Sequence, residues 1–588
     1  RLKNAKKVVG GEEVTLKKNK TILIVEDTNI SDGLRKFLYF TAAITGAGIL
    51  IVEILGAKML SPFLGTSHFV WTAQIAVTLV ALSAGYYTGG WLVDQSPKLN
   101  RLYYAILGAA VYLAATVPMV KPICLKLMKL PLAWATLLAS GFLFLIPLAL
   151  LAMTGPFLVR LLTESVRSVG LSVGRLSAIS TLGSVCGTLL IGYVLIPRFP
   201  NSVTMLITAG ILIALSASYF IVWGRGAGGN AVLLALGLTV IMGYSGLRGQ
   251  YGNTMNYGGV KWEVLYRANS NYGELLVIEY RNGPTVERRY LNDQLVQNTY
   301  DPVAKKSRSL FTGALRWLTH AYTPQTKKVL CIGMGAGVVP MQFVADGIHT
   351  DVVEINGAVV PMAEEFFDFK SSKVTLTIGD GRQFLNQTKE SYDAIVLDAF
   401  LGDSSPSHLM TYEAFMKMKA HLTEQGVLVI NSFGESNPQR QFFSASLDKT
   451  LRTVFGVKKV AVHASGYGNV FFVATKDKQL KVHRSPEPDA KSGKRLREAQ
   501  TEQEAFDEWD KWHEMTSGKG PFFSEHLEVQ QEMALMWKGR FAPGHFEEGE
   551  GRKGKLLLDD FNPVEFYDAR NREDNRRGLI NLLHSSNE

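Results

Sequence analysis

Apolar residues gather in seven long stretches over the first two-fifths of the chain and in short runs over the remainder. The long stretches cover about 37–60, 69–93, 102–120, 132–153, 176–196, 203–223 and 230–247. Each is near the roughly 20 residues a helix needs to cross a bilayer core. Gly and Pro inside several of them suit lipid-embedded helices, and small residues at four-residue spacing, such as Gly85 with Gly89 and Gly192 with Thr188, suit close helix packing. The segment 155–174 fits none of these stretches and reads as an interfacial or re-entrant piece. After Arg248 the period shortens. Residues 262–267, 273–280 and 287–291 are rich in β-branched and aromatic types and are separated by turn residues, which predicts a small antiparallel sheet. A helix over 307–320 follows.

From 328 onward, strands and helices alternate. Strands are expected at 328–332, 350–355, 374–378, 394–397, 427–431, 459–462 and 470–475, with helices around 362–367, 411–422 and 439–455. That order predicts an α/β sheet, mostly parallel, with ligand groups at the carboxyl ends of its strands. Beyond it, residues 477–494 are charged and contain Pro, as an exposed linker would. Residues 502–515 and 525–537 read as amphipathic helices, the first with Phe506, Trp509 and Trp512 on one face. The chain thus divides into a polar tail (1–36), a transmembrane region (37–247), a β region (248–320), a nucleoside-binding region (321–476) and a charged, partly helical extension (477–588).

Charge sharpens this division. Among the 211 residues of the apolar region there are 11 Lys/Arg and 3 Asp/Glu; the other 377 carry 51 and 49. A single soluble fold does not distribute charge this way, whereas a multi-pass helical membrane region joined to a soluble domain does. The net charge of +10 belongs to the tail and the apolar region, because residues from Arg248 onward hold 42 basic and 44 acidic side chains. This excludes a nucleic-acid-binding reading of the soluble half and points to the lipid bilayer as a partner. The polar opening shows no secretory signal. Alternate loops on the N-terminal side carry 15 Lys/Arg against 5 on the other, which places the N-terminus in the cytoplasm. Seven crossings would then put the soluble domain outside, and an eighth within 155–174 would return it. Cys124, Cys186 and Cys331 have no metal or disulfide spacing and read as buried inert thiols. Glu53 is the one acid deep in a span, either a functional carboxylate or an ion-pair partner of Lys58. The run 85–94 resembles a loop motif of major-facilitator transporters.

The candidate chemistry lies at the strand ends. Gly333-Met334-Gly335-Ala336-Gly337 sits directly between a strand and a helix, and glycines there let a ligand approach the backbone. Glu354, 17 residues after Gly337 at the end of the next strand, is placed to accept ribose hydroxyls. Asp380 follows the third strand, where it could receive an adenine amino group. Asp398 and Asp403 lie at and beyond the fourth strand's end, where carboxylates can hold an amine or take its proton.

These motifs, with 270–273 (Ser-Asn-Tyr-Gly), 291–297 (Leu-Asn-Asp-Gln-Leu-Val-Gln), 379–382 (Gly-Asp-Gly-Arg) and 559–563 (Asp-Asp-Phe-Asn-Pro), resemble the spermidine synthases, or polyamine aminopropyltransferases. The likeness is greater to their bacterial membrane-fused relatives. The resemblance implies a Rossmann-like, class I methyltransferase-type domain with a small N-terminal β-sheet. It implies that Gln297, Glu354, Asp380 and Gly381 contact the nucleoside, with the glycine turn beneath it. Asp398 would be the base or orienting acid and Asp403 would hold the diamine. The cosubstrate would be decarboxylated S-adenosylmethionine, no cofactor would be tightly bound, and no metal would be needed. The acceptor would be an amine or polyamine, and the setting a bacterial-type inner membrane with the soluble domain cytoplasmic if active. A homo-oligomer or membrane-complex partners would also fit.

Three departures stand out. Ala336 replaces the family's Asp in Gly-Gly-Gly-Asp-Gly, residues 300–306 replace its Tyr-His-Glu segment, and the acidic loop is two residues longer. They keep two alternatives open: an S-adenosylmethionine-dependent methyltransferase and a noncatalytic membrane subunit with a degenerate synthase domain. A third, polyamine transport through the helical half, rests on Glu53 and the run 85–94.

Overall fold

The computed structural model describes residues 30–65, 67–163, 169–224, 228–250, 252–323, 325–400, 406–434, 441–464, 468–483, 540–541, 545–547 and 553–563, with 529, 533 and 536. Most of the polar tail, the first amphipathic helix expected in the C-terminal extension, most of the second, and Asp403 lie outside the described residues; Val529, Met533 and Met536 of the second are helical and buried.

Among the described residues, seven helices are long and apolar enough to cross a membrane: α1 (Asp32–Leu64), α2 (His68–Gln95), α3 (Leu99–Leu127), α4 (Leu132–Leu162), α5 (Val169–Arg198), α6 (Asn201–Val222) and α7 (Gly229–Arg248). α1 starts inside the expected tail because the Ser31 side chain accepts the Leu34 amide and caps it, so Arg35 and Lys36 are helical. The segment read as interfacial is instead shared between neighbours. Residues 154–162 continue α4 and residues from 169 open α5. Pro156 removes one hydrogen bond from α4 without ending it, because the surrounding helices hold the backbone in place. The transporter-like run 85–94 forms the C-terminal turns of α2 rather than a loop.

Small residues set the helix contacts, but not all of those the spacing suggested. Gly85 and Gly89 lie against Ala149, Ala152 and Met153 of α4, and Gly183 and Gly187 of α5 lie against Ala43 and Ala47 of α1. A Cβ at Gly192 would meet nothing within 4 Å, and Thr188 is exposed. The helical register turns those two away from α1. Cys186 is likewise exposed on α5, against the expectation of burial, whereas Cys124 and Cys331 are buried. Lys58 makes no ion pair with Glu53; its ammonium donates to Asn271 O at 3.1 Å in the following sheet.

That sheet is a six-stranded antiparallel meander: β1 (Thr254–Tyr257), β2 (Val260–Ser270), β3 (Gly273–Asn282), β4 (Thr285–Asn292), β5 (Leu295–Asp301) and β6 (Lys306–Ser307). Both faces are covered. Trp262, Leu276, Ile278 and Leu291 join the core of the helical bundle. Leu275, Val277, Tyr290 and Tyr300 join the core of the α/β domain. The unbroken Leu275–Ile278 run follows from this, since alternate side chains point to opposite faces and both are dry. Sequence reading found three of these strands. β1 and β6 are too short to show a period, and β5 is largely polar.

α8 (Leu310–Tyr322) leads into the α/β domain, with strands β7 (Lys328–Ile332), β8 (His349–Glu354), β9 (Thr375–Ile378), β10 (Tyr392–Leu397), β11 (Leu422–Phe433), β12 (Val460–Ala464), β13 (Asn469–Thr475) and β14 (Arg540–Phe541). Its helices are α9 (Val338–Ala345), α10 (Val359–Phe366), α11 (Gly381–Gln387), α12 (Tyr412–Ala420) and α13 (Phe442–Phe455). The strand order is β14-β12-β13-β11-β10-β7-β8-β9, parallel from β11 to β9 and antiparallel from β11 outward through β13 and β12 to β14. This is the doubly wound, methyltransferase-type Rossmann-like arrangement. Its order reverses between β7 and β10, where ligand crevices open.

The α1–α5 contact is backbone against backbone, so a side chain at Gly183 must separate the helices. Gly183→Leu is expected to lower the melting temperature of the detergent-purified protein by several degrees. Gly192→Leu, on the open face, should leave it unchanged. Differential scanning fluorimetry compares the two.

Candidate functional site

The site is built at the switch point. β7 ends at Ile332 and the chain turns through Gly333 (φ +92°) into α9. A Cβ at Gly333 would collide with the backbone of Asp398 and Ala399, so the turn after β7 and the end of β10 are in direct contact. Two backbone bonds fix this closeness: Gly333 N donates to Val353 O at 2.8 Å and Asp398 N to Ile332 O at 2.9 Å.

Above this contact lies a cavity of about 410 Å³, within the range of small-molecule sites. Of the residues expected from sequence, Gln297, Gly333, Gly335, Glu354, Asp380, Gly381 and Asp398 all line it. Gly337 does not. It caps α9 and sits against Phe369, shaping the turn from outside.

Glu354 is buried at the tip of β8. Its carboxylate accepts the Asn356 amide at 2.7 Å and the Met334 amide at 2.9 Å, which ties the acid to the glycine turn. Burial raises its pKa, and these amides with those of Gly335 and Ile355 oppose the rise. Asp398 stands across the crevice. Asn431 Nδ2 donates to its Oδ1 at 2.9 Å, and Asn469 Nδ2 donates in turn to Asn431 Oδ1 at 2.8 Å. Burial pushes the Asp398 carboxyl up to about 6; the Asn431 amide opposes this and the nearby Glu354 charge adds to it.

Asp380 is differently engaged. Oδ1 accepts the Gln383 amide at 2.9 Å as the cap of α11, and Oδ2 faces His408 Nε2 at 2.8 Å. Burial works to raise its carboxyl, but the Gln383 amide and His408 outweigh it and hold the group below the ordinary range. The loop carrying His408 is in turn clamped from the C-terminal segment. Arg382 bonds His408 O and pairs with Asp559 at 2.8 Å, while Asn562 Nδ2 donates to Ser407 O at 2.9 Å. Asp559 and Asn562, read as a sequence motif, therefore brace the wall of the site.

Sequence reading missed Tyr272, Tyr290, Asn292, His408, Asn431 and Asn469, together with the tilted Phe400–Phe433 pair at 4.7 Å, all of which line the cavity. Asn431 carried a usable signal: it is a polar residue closing the apolar run 427–430 at a strand's carboxyl end. Tyr272, Tyr290 and Asn292 come from the β-meander, and only the packing of that sheet on the α/β domain brings them in; His408, Asn469, Phe400 and Phe433 lie at strand ends and in loops of the α/β domain itself.

Residues 314–485 match the model of the spermine/spermidine synthase domain. The C-terminal part carries a spermidine synthase domain. A polyamine aminopropyltransferase of Vibrio vulnificus is 31% identical over 209 residues, covering 33% of this chain and 65% of that protein. An N-terminal histidine N-methyltransferase of Emericella nidulans is 29% identical over 181 residues, covering 29% of this chain and 32% of that protein. A probable spermidine synthase structure from Corynebacterium glutamicum aligns over 40% of this chain and 83% of its own at 19% identity, with a TM-score of 0.31. The chain thus spans just under two thirds of the first relative and about a third of the second. The match covers the glycine turn, Glu354, Asp380 and Asp398, while Gln297, the cavity wall from the β-meander and the seven apolar helices lie outside it.

A carboxyl raised by folding binds its proton more tightly in the native state. Asp398 therefore costs stability that sets in as pH rises from about 4 to about 6 and is complete above that. Asp398→Asn, which keeps the Asn431 contact, is expected to melt several degrees above the parent at pH 8 and much closer to it at pH 4. Thermal melts at the two pH values check this.

Proposed function

We propose that the synthase domain binds an adenosine-bearing sulfonium and transfers an aminopropyl group from decarboxylated S-adenosylmethionine to an amine. One observation carries this reading: Glu354 and Asp398, from the ends of strands on either side of β7, face one cavity floored by the glycine turn. Glu354 and Gln297 take the ribose hydroxyls, and the Asp380–Gly381 step meets the adenine edge. The methylene beside the sulfonium then lies toward Asp398. Asp403, which belongs to the same reading as the diamine holder, lies outside the described residues.

The chemistry asks little beyond alignment. The amine lone pair forms the new N–C bond as the C–S bond breaks, and its electrons leave on sulfur as methylthioadenosine. The proton released from the new ammonium passes to Asp398. A carboxyl near 6 is ionised at neutral pH and still basic enough to orient and accept. Phe400 and Phe433 give the carbon chains an apolar wall.

A second reading rests on a different observation. Ala336 puts no acid beside the ligand's tail, whereas Arg308, bonded to Asp301 at 3.3 Å, lines the same cavity. A guanidinium there suits the α-carboxylate of S-adenosylmethionine itself, and with it methyl transfer. The bundle α1–α7 serves, in either case, as a membrane anchor with the domain on the cytosolic side, where these cosubstrates occur. With seven crossings the N-terminus then faces outward, against the charge bias of the loops.

Thermal shift and calorimetry of the purified protein separate these readings. Stabilisation by decarboxylated S-adenosylmethionine and methylthioadenosine is expected, with S-adenosylmethionine preferred under the second reading. No response to any of the three would leave a noncatalytic subunit. Glu354→Gln should weaken nucleoside binding at least tenfold. Asp398→Asn should leave binding within about threefold and lower kcat by about 10²–10⁴. The parent rate should rise through about pH 6 to a plateau as Asp398 ionises. A reporter fused after Glu588 should be active in the cytosol; activity on the far side of the membrane would overturn both enzymatic readings.

A further inference from the structure

α1 ends against two turns that supply part of the cavity wall. Its last two turns meet the β-meander at two adjacent hairpin turns, 270–273 between β2 and β3 and 292–295 between β4 and β5. Lys58 Nζ donates to Asn271 O in the first at 3.1 Å, and Ser61 Oγ donates to Asp293 Oδ2 in the second at 3.4 Å. The turns are also tied to each other. Glu274 N donates to Asp293 Oδ1 at 2.9 Å, and Asp293 N donates to Glu274 O at 3.0 Å. Burial raises the Asp293 carboxyl to about 6, and the Glu274 amide, the Lys58 ammonium and the Ser61 hydroxyl pull against that rise. The charge on α1 therefore helps keep this junction ionised.

Each turn delivers a side chain to the cavity wall, Tyr272 from the first and Asn292 from the second. Asn292 is buried, and its Oδ1 has no hydrogen-bond partner among the described residues. The first turn also reaches the acid at the end of β8. Ser270 Oγ donates to Gly273 O at 2.9 Å and accepts the Tyr272 amide at 3.1 Å, closing the turn. It also accepts Asn356 Nδ2 at 3.0 Å, and the Asn356 amide donates to Glu354 Oε1 at 2.7 Å. A continuous path of hydrogen bonds and one short turn runs from Lys58 to Glu354.

We propose that the C-terminal end of α1 is a positioning element for the nucleoside cavity, with Lys58 setting the 270–273 turn and, through Asn356, the Glu354 carboxylate. This rests on the nucleoside reading above and adds a role for the apolar bundle, which then orients the site as well as anchoring it. By reciprocity, a nucleoside that fixes the turns also fixes the end of α1.

The test uses full-length protein in detergent and methylthioadenosine as the probe. Lys58→Met keeps the stem and removes the donor. Its affinity is expected to fall three- to tenfold, with Lys58→Arg restoring it and the unliganded melting temperature unchanged within about two degrees. Asn356→Ala should weaken binding as well, and Lys58→Met should then add little in that background, because both act through one path. A clip with only a structural role would shift melting and give independent, multiplying effects. Ser61→Ala provides a second variant, expected to weaken binding about twofold, should Lys58→Met fail to fold. Parent protein that binds the probe with Lys58→Met and Ser61→Ala unaffected, or with fully multiplicative double variants, overturns this proposal alone. Parent protein that binds no adenosyl compound overturns it together with the nucleoside reading.

Discussion

Two parallel strands whose connections leave toward opposite sides of a sheet cannot close the gap between their carboxyl ends. Here that gap lies between β7 and β10, and the chain leaves it open in a controlled way. Gly333 lets the turn after β7 touch the backbone of Asp398 and Ala399 without a side chain between them. The two segments meet at the base of the crevice and diverge above it. Were they held apart by a Cβ, Glu354 and Asp398 would lose the common floor that makes them parts of one site.

The electrostatics follow from that geometry. Two acids share a crevice with few counter-charges, so burial raises both, and each is restrained in a different way. Glu354 is held by backbone amides, which cannot move away, and this suits a group that fixes a ligand's position. Asp398 is held by one side-chain amide, itself held by Asn469, and stays near neutrality, where a proton acceptor is useful. Asp380 is the exception: a helix cap and His408 keep it ionised.

The β-meander links the halves of the molecule. An antiparallel sheet ordinarily leaves one face to water. This one lends alternate residues of β3 to two cores, the bundle on one side and the α/β domain on the other. Its turns are therefore held from both directions, and the cavity wall they supply is as firmly placed as the strands beneath it. An apolar bundle tied in this way is a structural neighbour of the site rather than a separate attachment.

Periodicity in the sequence was enough to fix the two architectures, because hydrophobic burial writes its period directly into the chain: about 20-residue apolar stretches for the bundle, and strand–helix alternation for the α/β region. The glycine turn, Glu354, Asp380 and Asp398 were legible for a related reason. They sit at strand ends, where position along the sequence implies position in the crevice. What local pattern could not reveal was contact across domains. Lys58 looked like a partner for Glu53 because both lie on one helix, yet it reaches a turn more than 200 residues away. Gly192 shared the spacing of packing glycines but faces no helix, while Gly183 and Gly187 meet α1. His408 and Asn469 carry no local mark of their place in the cavity, and Tyr272 and Asn292 stand in motifs whose position in the wall the sequence does not reveal. Only the folded chain, by packing one sheet between two cores and a C-terminal segment against a loop, decides which of its polar groups face one another.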